Sequence, residues 1–146
     1  MMSRKYLVNG PIQPDLIGKY IGLLSSSREV GGHSLFIGQV REDDIDGLKV
    51  KSIKYSAYDE MVTEEAEKII RLTSDAFTDV HNIEILHSTG VVMAGEISLF
   101  VLVTAGHRDQ AIRACRHVVE MIKLNYPVWK KEILDDDSHQ WKENKS

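Results

Sequence analysis

The sequence predicts an α+β domain in which helices pack on a mixed, mainly antiparallel sheet. Segments with strand alternation and segments with helical spacing follow one another in the order β-α-β-β-α-β-β-β-α. The run "ISLFVLVTA" is almost wholly apolar, which indicates a central strand covered on both faces. Because 42% of the 146 residues are hydrophobic, the chain can bury a core, and residues 1 to 146 are predicted to form a single domain.

The first three predicted elements are a strand, a helix and a strand. "KYLVN" alternates as a short strand. "PDLIGKYIGLLSS" has apolar residues at helical spacing and carries Pro14 in its first turn, where proline is favoured, so it predicts a helix of about three turns. After a loop, "HSLFIGQV" alternates as a strand that ends at Arg41.

A polar loop, a strand and a long helix are predicted next. "REDDIDG" is rich in turn residues, and "KVKSIKYSAY" resumes the alternation of a strand. The helix is predicted to start at Asp59, a good N-cap residue. Its apolar stripe contains Val62, Ala66, Ile69, Ile70 and Phe77.

In the last third of the chain, "NIEILHS" alternates as a strand, and "GVVMAGE" predicts a short extended piece and a glycine-containing turn before the central strand. "DQAIRACRHVVEMIKLN" then predicts a helix whose inward stripe is Ile112, Cys115, Val118, Val119 and Ile122. Pro127 disfavours helix at Tyr126, so an extended segment should follow. The charged tail, residues 135 to 146, is predicted to be flexible.

The composition argues against several classes of protein. The net charge of -4 is unlike the basic charge of broad nucleic-acid binders. The start of the chain lacks the apolar run of a signal peptide, and no segment approaches the roughly 18 apolar residues of a membrane span, so a cytoplasmic protein is predicted. Cys115 is the only cysteine, and the histidines show no metal-binding spacing, so no metal site is expected.

One segment departs from the acidic character of the chain. Residues 103 to 132 carry six Lys or Arg residues and three acidic residues. A local positive patch on an acidic protein predicts a discrete anionic ligand rather than general adhesion to anions.

The stretch "AGHRD" lies where the central strand passes into the last helix. The backbone N–H groups of a helix start, with the positive end of the helix dipole, attract anions. His107 and Arg108 add cationic character at a helix end where cations cost about 0.3–1 kcal/mol, which favours an anion site. In the alternative, both side chains point into solvent or pair with a surface carboxylate.

Three lysines surround the end of the last helix. Lys123 borders the apolar stripe, so its amine can emerge at the rim of the core. Lys130 and Lys131 follow Pro127 and should point in opposite directions, so only one can share a pocket with Lys123. Two lysines in an enclosed pocket lower each other's pKa from about 10.4, which makes an amine a useful acid, base or nucleophile. In the alternative, these amines are simply solvated.

Four motifs in a fixed order resemble the catalytic large subunit of molybdopterin synthase. They are "FIGQVR", "YSAYDEM", "TAGHRDQAIRAC" and "IKLNYPVWKKE". The similarity extends from about Gly31 to Glu132, and Trp141 matches a tail tryptophan of the family. The resemblance implies an α/β hammerhead fold and the conversion of cyclic pyranopterin monophosphate (precursor Z) into molybdopterin, in molybdenum cofactor biosynthesis.

The resemblance also implies the partners. Both sulfurs would come from the C-terminal thiocarboxylate of a small ubiquitin-like subunit that ends in Gly-Gly, so no cofactor is expected and Cys115 stays structural. The large subunit would form a homodimer with small subunits at its two ends, which gives a heterotetramer. Neither nucleic acid nor a membrane is an expected partner.

Matched position by position, the family's motifs assign roles to residues of this chain. Lys123 and Lys130 would be catalytic, as acid-base groups that activate the substrate carbons for sulfur attack, with a covalent role of the amine left open. Arg41, His107 and Arg108 would bind phosphate and pterin. The substrate-binding positions implied by the resemblance are Gln39, Val40, Arg41, His107, Arg108, Lys131 and Glu132.

The sequence departs from the family pattern at Ser56, where the family usually carries Glu, and at Ser88, where it carries Arg. Another interpretation is a non-catalytic module that binds a nucleotide-like anion or a partner's tail. Retention of Lys123 and Lys130 favours the enzyme, because anion binding needs charge but not amines in particular. Binding of single-stranded nucleic acid by the aromatic and lysine residues near Pro127 is disfavoured by the acidic net charge.

Overall fold

The structure, a computed structural model, describes residues 6 to 142. Lys5 of the first predicted strand and residues 143 to 146 of the predicted flexible tail lie outside this range. The helices and strands are, in chain order, β1 (Leu7–Asn9), α1 (Pro14–Leu24), β2 (Gly32–Gln39), β3 (Asp44–Ile45), β4 (Leu48–Ala57), α2 (Asp59–Ala76), β5 (Val80–Met93), β6 (Ile97–Ala105), α3 (Arg108–Asn125), β7 (Val128–Leu134) and β8 (His139–Lys142).

The described strands form one mixed sheet. Its main path runs β2-β6-β5-β4-β7-β8, and the short β3 pairs with β4. β1 runs parallel to β5, whereas the other pairings of the described strands are antiparallel. The predicted class, an α+β fold with a mixed, mainly antiparallel sheet and packed helices, is therefore confirmed.

Helices cover both faces of this sheet. The larger apolar cluster joins α2 and α3 to the side chains of β6 that point to one face, such as Val101 and Val103. The smaller cluster joins α1 to Phe100 and Leu102, which alternate to the other face. β6 is therefore buried on both sides, as its apolar run predicts.

Two details of the helices differ from the prediction. In α3, Cys115, Val118 and Ile122 of the predicted stripe are buried, as expected. Ile112 is instead 58% exposed, and the small side chain of Ala111, one position earlier, lies inside. Asp59 is the first residue of α2 rather than its N-cap, which is Tyr58. An acidic residue in the first turn still interacts favourably with the helix dipole.

The strands of the second half are longer and more numerous than predicted. "NIEILHS" and "GVVM" belong to one strand, β5, that bends at Gly90, and the predicted glycine-containing turn follows at Ala94 and Gly95. The extended segment after Pro127 is confirmed as β7. Residues 139 to 142 of the predicted flexible tail form β8, which pairs with β7 through Lys130, Lys131, Glu132 and Ile133. Local charge suggested a solvated tail, but β7 offers an open edge with which it can pair.

Gly90 makes the bend of β5 possible. Its φ is +78°, and a Cβ there would lie 2.7 Å from Asn9 Oδ1. We expect Gly90→Ala to lower the free energy of unfolding by more than the about 1–2 kcal/mol typical of left-handed backbone alone. Gly47→Ala is the matched control, since Gly47 has a φ of +83° with open space around it. If urea denaturation showed the same decrease in the free energy of unfolding for both variants, the contact with Asn9 would have no effect.

Candidate active site

A pocket of about 660 Å³ lies at one end of the sheet, where β2 ends, β5 turns into β6, and α3 passes into β7. This volume suits a small-molecule ligand. The lining residues are Gly38, Gln39, Val40, Arg41, Glu42, Asp43, Ile53, Tyr55, His87, Ala94, Gly95, Ser98, Leu99, Lys123, Lys130 and Lys142.

The break at Pro127 brings two lysines to this pocket. α3 ends at Asn125, and Tyr126 adopts an extended conformation (φ -63°, ψ 126°), as expected before proline. Lys123 therefore lies on the last turn of a helix, and Lys130 lies two residues into the following strand. Lys130 pairs with Tyr55 of β4 on one side and with Lys142 of β8 on the other.

The enclosed position changes the acidity of both amines. Burial, with smaller contributions from the charges of Lys123 and Lys142, lowers the pKa of Lys130 to about 8. Burial and the charge of Lys142 also lower the pKa of Lys123. An amine with a pKa near 8 can exchange its proton close to neutral pH, which an ordinary lysine with a pKa of about 10.4 does poorly.

The pocket carries more positive than negative charge. Arg41, Lys123, Lys130 and Lys142 face it, against the carboxylates of Glu42 and Asp43, among the described residues of the lining. Arg41 lies at the mouth, where its side chain is 83% exposed and its Nε lies 2.6 Å from Asp43 Oδ1. Lys142 also shares its charge, since its Nζ lies 3.9 Å from Asp43 Oδ2 and 3.7 Å from Glu132 Oε2. The charge available to an anionic ligand therefore comes mainly from Lys123 and Lys130.

A buried histidine forms part of the wall. His87 is 4% exposed, and its ring meets that of Tyr55 edge-on with 5.1 Å between ring centroids. Burial, opposed by a hydrogen bond with the backbone oxygen of Ser88, lowers the pKa of His87 to about 4, and the charges of Lys130 and Lys123 lower it further. The imidazole is therefore neutral at pH 7. Beside it, the Tyr55 hydroxyl donates to Ser98 Oγ at 3.1 Å.

The substrate-binding positions implied for β7 lie outside the pocket lining. Lys131 points to the opposite face from Lys130, where its Nζ lies 5.6 Å from the centroid of the Trp141 ring. Glu132 is buried behind the pocket, accepts a hydrogen bond from Gln140 Nε2 at 3.0 Å, and lies 3.7 Å from Lys142 Nζ. The expectation that only one of the two lysines shares the pocket is confirmed.

The two residues of the predicted anion site lie at the other end of α3. His107 is the N-cap and Arg108 the first residue of α3, fifteen positions before Lys123, so about 22 Å of helix separates them. The His107 side chain is 88% exposed and its Nδ1 lies 3.1 Å from Asp79 Oδ2. One copy of the chain therefore does not bring His107 and Arg108 to the lysine pocket.

The structure brings together Gln39, Val40, Arg41, Lys123 and Lys130 of the predicted set. It adds His87, Tyr55, Ser98 and Lys142, which sequence reasoning missed. A signal for His87 existed, because strand alternation places it on the same face as Ile83 and Ile85. Lys142 gave no local signal, since it lies in a polar segment.

The single cysteine and the possible metal ligands also bear on the chemistry of the site. Cys115 is buried, and burial raises the pKa of its thiol, which opposes formation of a thiolate. Between residues 6 and 142, no cluster of three or more His, Cys, Asp or Glu side chains could hold a metal ion.

The helices of that same range include none long and apolar enough to cross a membrane.

Comparison with known proteins identifies the family. The sequence model of the family described as MoaE protein matches residues 9–125. The chain belongs to the MoaE family. The resemblance predicted from the four motifs is thereby confirmed.

Relatives in the MoaE family carry a consistent description. A protein of Pyrococcus abyssi described as molybdopterin synthase catalytic subunit is 40% identical over 120 residues, which are 82% of this chain and 79% of the relative. A Taeniopygia guttata protein of the same description is 37% identical over 115 residues, or 79% of this chain and 73% of the relative. A Drosophila melanogaster protein is 36% identical over 145 residues, and the chain spans only 38% of its length.

Solved structures of the MoaE family share the fold. The crystal structure of molybdopterin synthase from Staphylococcus aureus superposes with a TM-score of 0.84 at 27% identity, covering 98% of this chain and 99% of that one. A chain from the complex of subunits 1 and 2 of the molybdopterin-converting factor of Helicobacter pylori gives a TM-score of 0.80 at 20% identity, over 96% of this chain and 90% of that one. At that identity, the second likeness speaks for the fold alone.

Proposed function

We propose that the chain is the catalytic subunit of a cytoplasmic molybdopterin synthase, a sulfurtransferase that converts cyclic pyranopterin monophosphate into molybdopterin. The observation that carries the proposal is the meeting of Lys123 and Lys130 at a pocket rimmed by residues 39 to 41, in a chain of the MoaE family. These are the positions at which the resemblance places catalysis and part of substrate binding.

In the proposed reaction, the sulfur of a thiocarboxylate forms a bond to a substrate carbon, and the oxygen that leaves this carbon takes a proton from a lysine ammonium. Water then hydrolyses the acyl–sulfur bond, which leaves the donor as a carboxylate. Two such transfers give the dithiolene. Lys130 is suited to the proton transfer because its pKa is about 8. The charge of Lys123 favours the anionic phosphate.

The proposed sulfur donor is a small ubiquitin-like subunit with a Gly-Gly C-terminus. The Helicobacter pylori relative is described as a protein–protein complex of two subunits, which supports a partner of this kind. The buried Cys115, with its raised pKa, supports a sulfur source outside the chain. The proposed reaction needs no resident cofactor.

A homodimer is also part of the proposal, and β2 is the surface that supports it. β2 is an edge strand of eight residues, so its outer hydrogen-bonding groups are open. Leu35, Phe36 and Ile37 in its centre are between 37% and 45% exposed. Antiparallel pairing of β2 with the same strand of a second copy would cover these side chains and remove the open edge.

Such a dimer accounts for the remote position of His107 and Arg108. A two-fold axis between Leu35 and Phe36 pairs Gly32 of one copy with Gln39 of the other. Gly32 packs against the start of α3, since a Cβ there would lie 3.5 Å from Arg108 Cα. Gln39 lines the pocket. The pairing thus carries the anion site of one copy toward the lysine pocket of the other.

Mixed dimers provide a test of this arrangement. Lys123→Ala and Arg108→Ala, each of low activity alone, are expected to regain about a quarter of wild-type activity when co-expressed in equal amounts. Half of the dimers are then mixed, and each contains one pocket with both residues intact. Activity no higher than the mean of the two single variants would contradict sharing of the site between copies.

The activity itself is tested by mixing the chain with a thiocarboxylated small subunit and cyclic pyranopterin monophosphate, followed by an assay for the dithiolene product. A small subunit ending in an ordinary carboxylate is the control. No product with the thiocarboxylated donor would refute the proposed function.

A further inference from the structure

A second, much smaller cavity adjoins the lysines. Its volume is about 10 Å³, and it is lined by His87, Ile122, Lys123, Tyr126, Val128 and Lys130. This volume is about that needed for one water molecule. His87, Lys123 and Lys130 supply nitrogen atoms that can hydrogen-bond to water, whereas Ile122 and Val128 form apolar walls.

The tautomer of His87 is set by its backbone neighbour. Nδ1 of His87 lies 2.8 Å from the carbonyl oxygen of Ser88. A carbonyl oxygen can only accept, so Nδ1 carries the hydrogen and donates it. In the neutral ring, Nε2 then carries a lone pair and can only accept a hydrogen bond. His87 is thus a fixed acceptor on the wall that it shares with the two amines.

We propose that this cavity binds one structural water molecule that joins the Nζ atoms of Lys123 and Lys130 to Nε2 of His87, and that His87 is thereby a positioning residue for the two lysines. The water accepts a hydrogen bond from one lysine ammonium and donates a hydrogen to His87 Nε2. Its second hydrogen reaches the other lysine when that amine is neutral. Three partners are the usual number for a buried water.

This arrangement lets the lysines exchange roles. The ammonium of one lysine passes a proton to the water while the water passes a proton to the neutral amine of the other, so charge and water are both conserved. Imidazolium does not form, because the pKa of His87, about 4, lies far below that of Lys130, about 8. One lysine can therefore be the acid while its neighbour is the base, which rests on the catalytic role proposed for them above.

A neutral acceptor suits this place better than a carboxylate. A carboxylate beside the lysines would stabilise both ammonium ions and raise their pKa values. It would also cancel part of the positive charge available to an anionic substrate. A histidine held neutral by burial accepts the hydrogen bond without either effect.

Two variants of His87 separate positioning from packing. His87→Phe keeps a ring of similar shape but removes the acceptor, whereas His87→Gln retains an acceptor oxygen. We expect His87→Phe to lower kcat by about 10- to 100-fold, the range for groups that orient catalytic residues, with little change in KM. His87→Gln should recover most of this loss. His81→Phe, in the exposed part of β5, is the matched control and should behave as wild type.

Measurements that do not depend on turnover complete the test. In lysine-selective NMR titrations, the pKa of Lys130 should fall by about one further unit in His87→Phe and stay near the wild-type value in His87→Gln. Nitrogen NMR of the wild-type protein should show His87 with hydrogen on Nδ1 and a bare Nε2 between pH 6 and 8. A crystal structure should contain the water.

The outcomes distinguish this inference from the proposed function. Hydrogen on Nε2 of His87, a cavity without water, or a Lys130 pKa unchanged in His87→Phe would overturn the water bridge, even if the enzyme is active. Absence of product from the wild-type protein would refute the proposed function, while the NMR titrations would still decide the bridge. If His87→Phe does not fold, the wild-type tautomer and the crystal structure remain decisive.

Discussion

Replacing Lys123 with alanine is expected to lower kcat/KM for dithiolene formation by about 100-fold or more, which is the usual contribution of a positioned acid-base group. Lys123→Arg is expected to be nearly as inactive. A guanidinium keeps the positive charge, but its pKa above about 12 prevents it from releasing a proton. The comparison separates proton transfer from anion binding, because an anion site would accept either cation.

Lys54→Ala is the matched control for Lys123→Ala. Lys54 is exposed and precedes Tyr55 in β4, so its side chain points to the other face of the strand. Its loss should leave kcat/KM within about twofold of wild type, as for most exposed residues away from a site. Full activity of Lys123→Arg would contradict proton transfer by Lys123 and leave it only a role in binding the anion.

The pH dependence of kcat/KM is expected to bend near pH 8, where Lys130 of the free enzyme changes its protonation state. Below that pH the amine is charged, and above it the amine is neutral. Lys130→Ala should remove the bend and lower kcat/KM by about 100-fold or more. A profile that keeps the same bend in Lys130→Ala would assign this ionisation to another group.

Lys142→Ala tests the causes that lower the pKa of Lys130. Burial comes first among the causes that lower the pKa of Lys130, followed by the charges of Lys123 and Lys142. Truncating Lys142 opens the pocket and removes one of these charges, so both changes raise the pKa of Lys130 toward the ordinary value of about 10.4. The bend should therefore move to higher pH. Lys54→Ala, on the same sheet but outside the pocket, should leave it in place.

Local patterns predicted much of the fold because they reflect burial directly. The apolar run of β6, the helical spacing of α2 and the break at Pro127 each depend on a few neighbouring residues. The pairing partner of a strand, by contrast, does not depend on neighbouring residues alone. β8 could not be predicted from its own polar sequence, because what holds it is the open edge of β7. In α3 only Ile112 of the predicted stripe is exposed, because the small Ala111, not the isoleucine, lies against the core.

The candidate site was predicted only in part, because some of its residues depend on local sequence and others on the pairing of distant strands. Lys123 and Lys130 stand on either side of a proline, so their meeting followed from a local break in the chain. His107 and Arg108 were placed beside them by analogy of motif, although fifteen positions along α3 separate Arg108 from Lys123. His87 and Lys142 reach the pocket through pairings between distant strands, which spacing along the chain does not reveal.

The pairing of β8 with β7 allows the reactivity of Lys130 to change while the stability of the domain does not. β8 has four residues, all exposed, at the edge of the sheet, so it is expected to open at a lower free energy than the core. Opening would withdraw Lys142 from the pocket and return Lys130 toward ordinary acidity without unfolding the domain. A substitution that loosens this edge should therefore alter the reactivity of the amine while the melting temperature stays nearly constant.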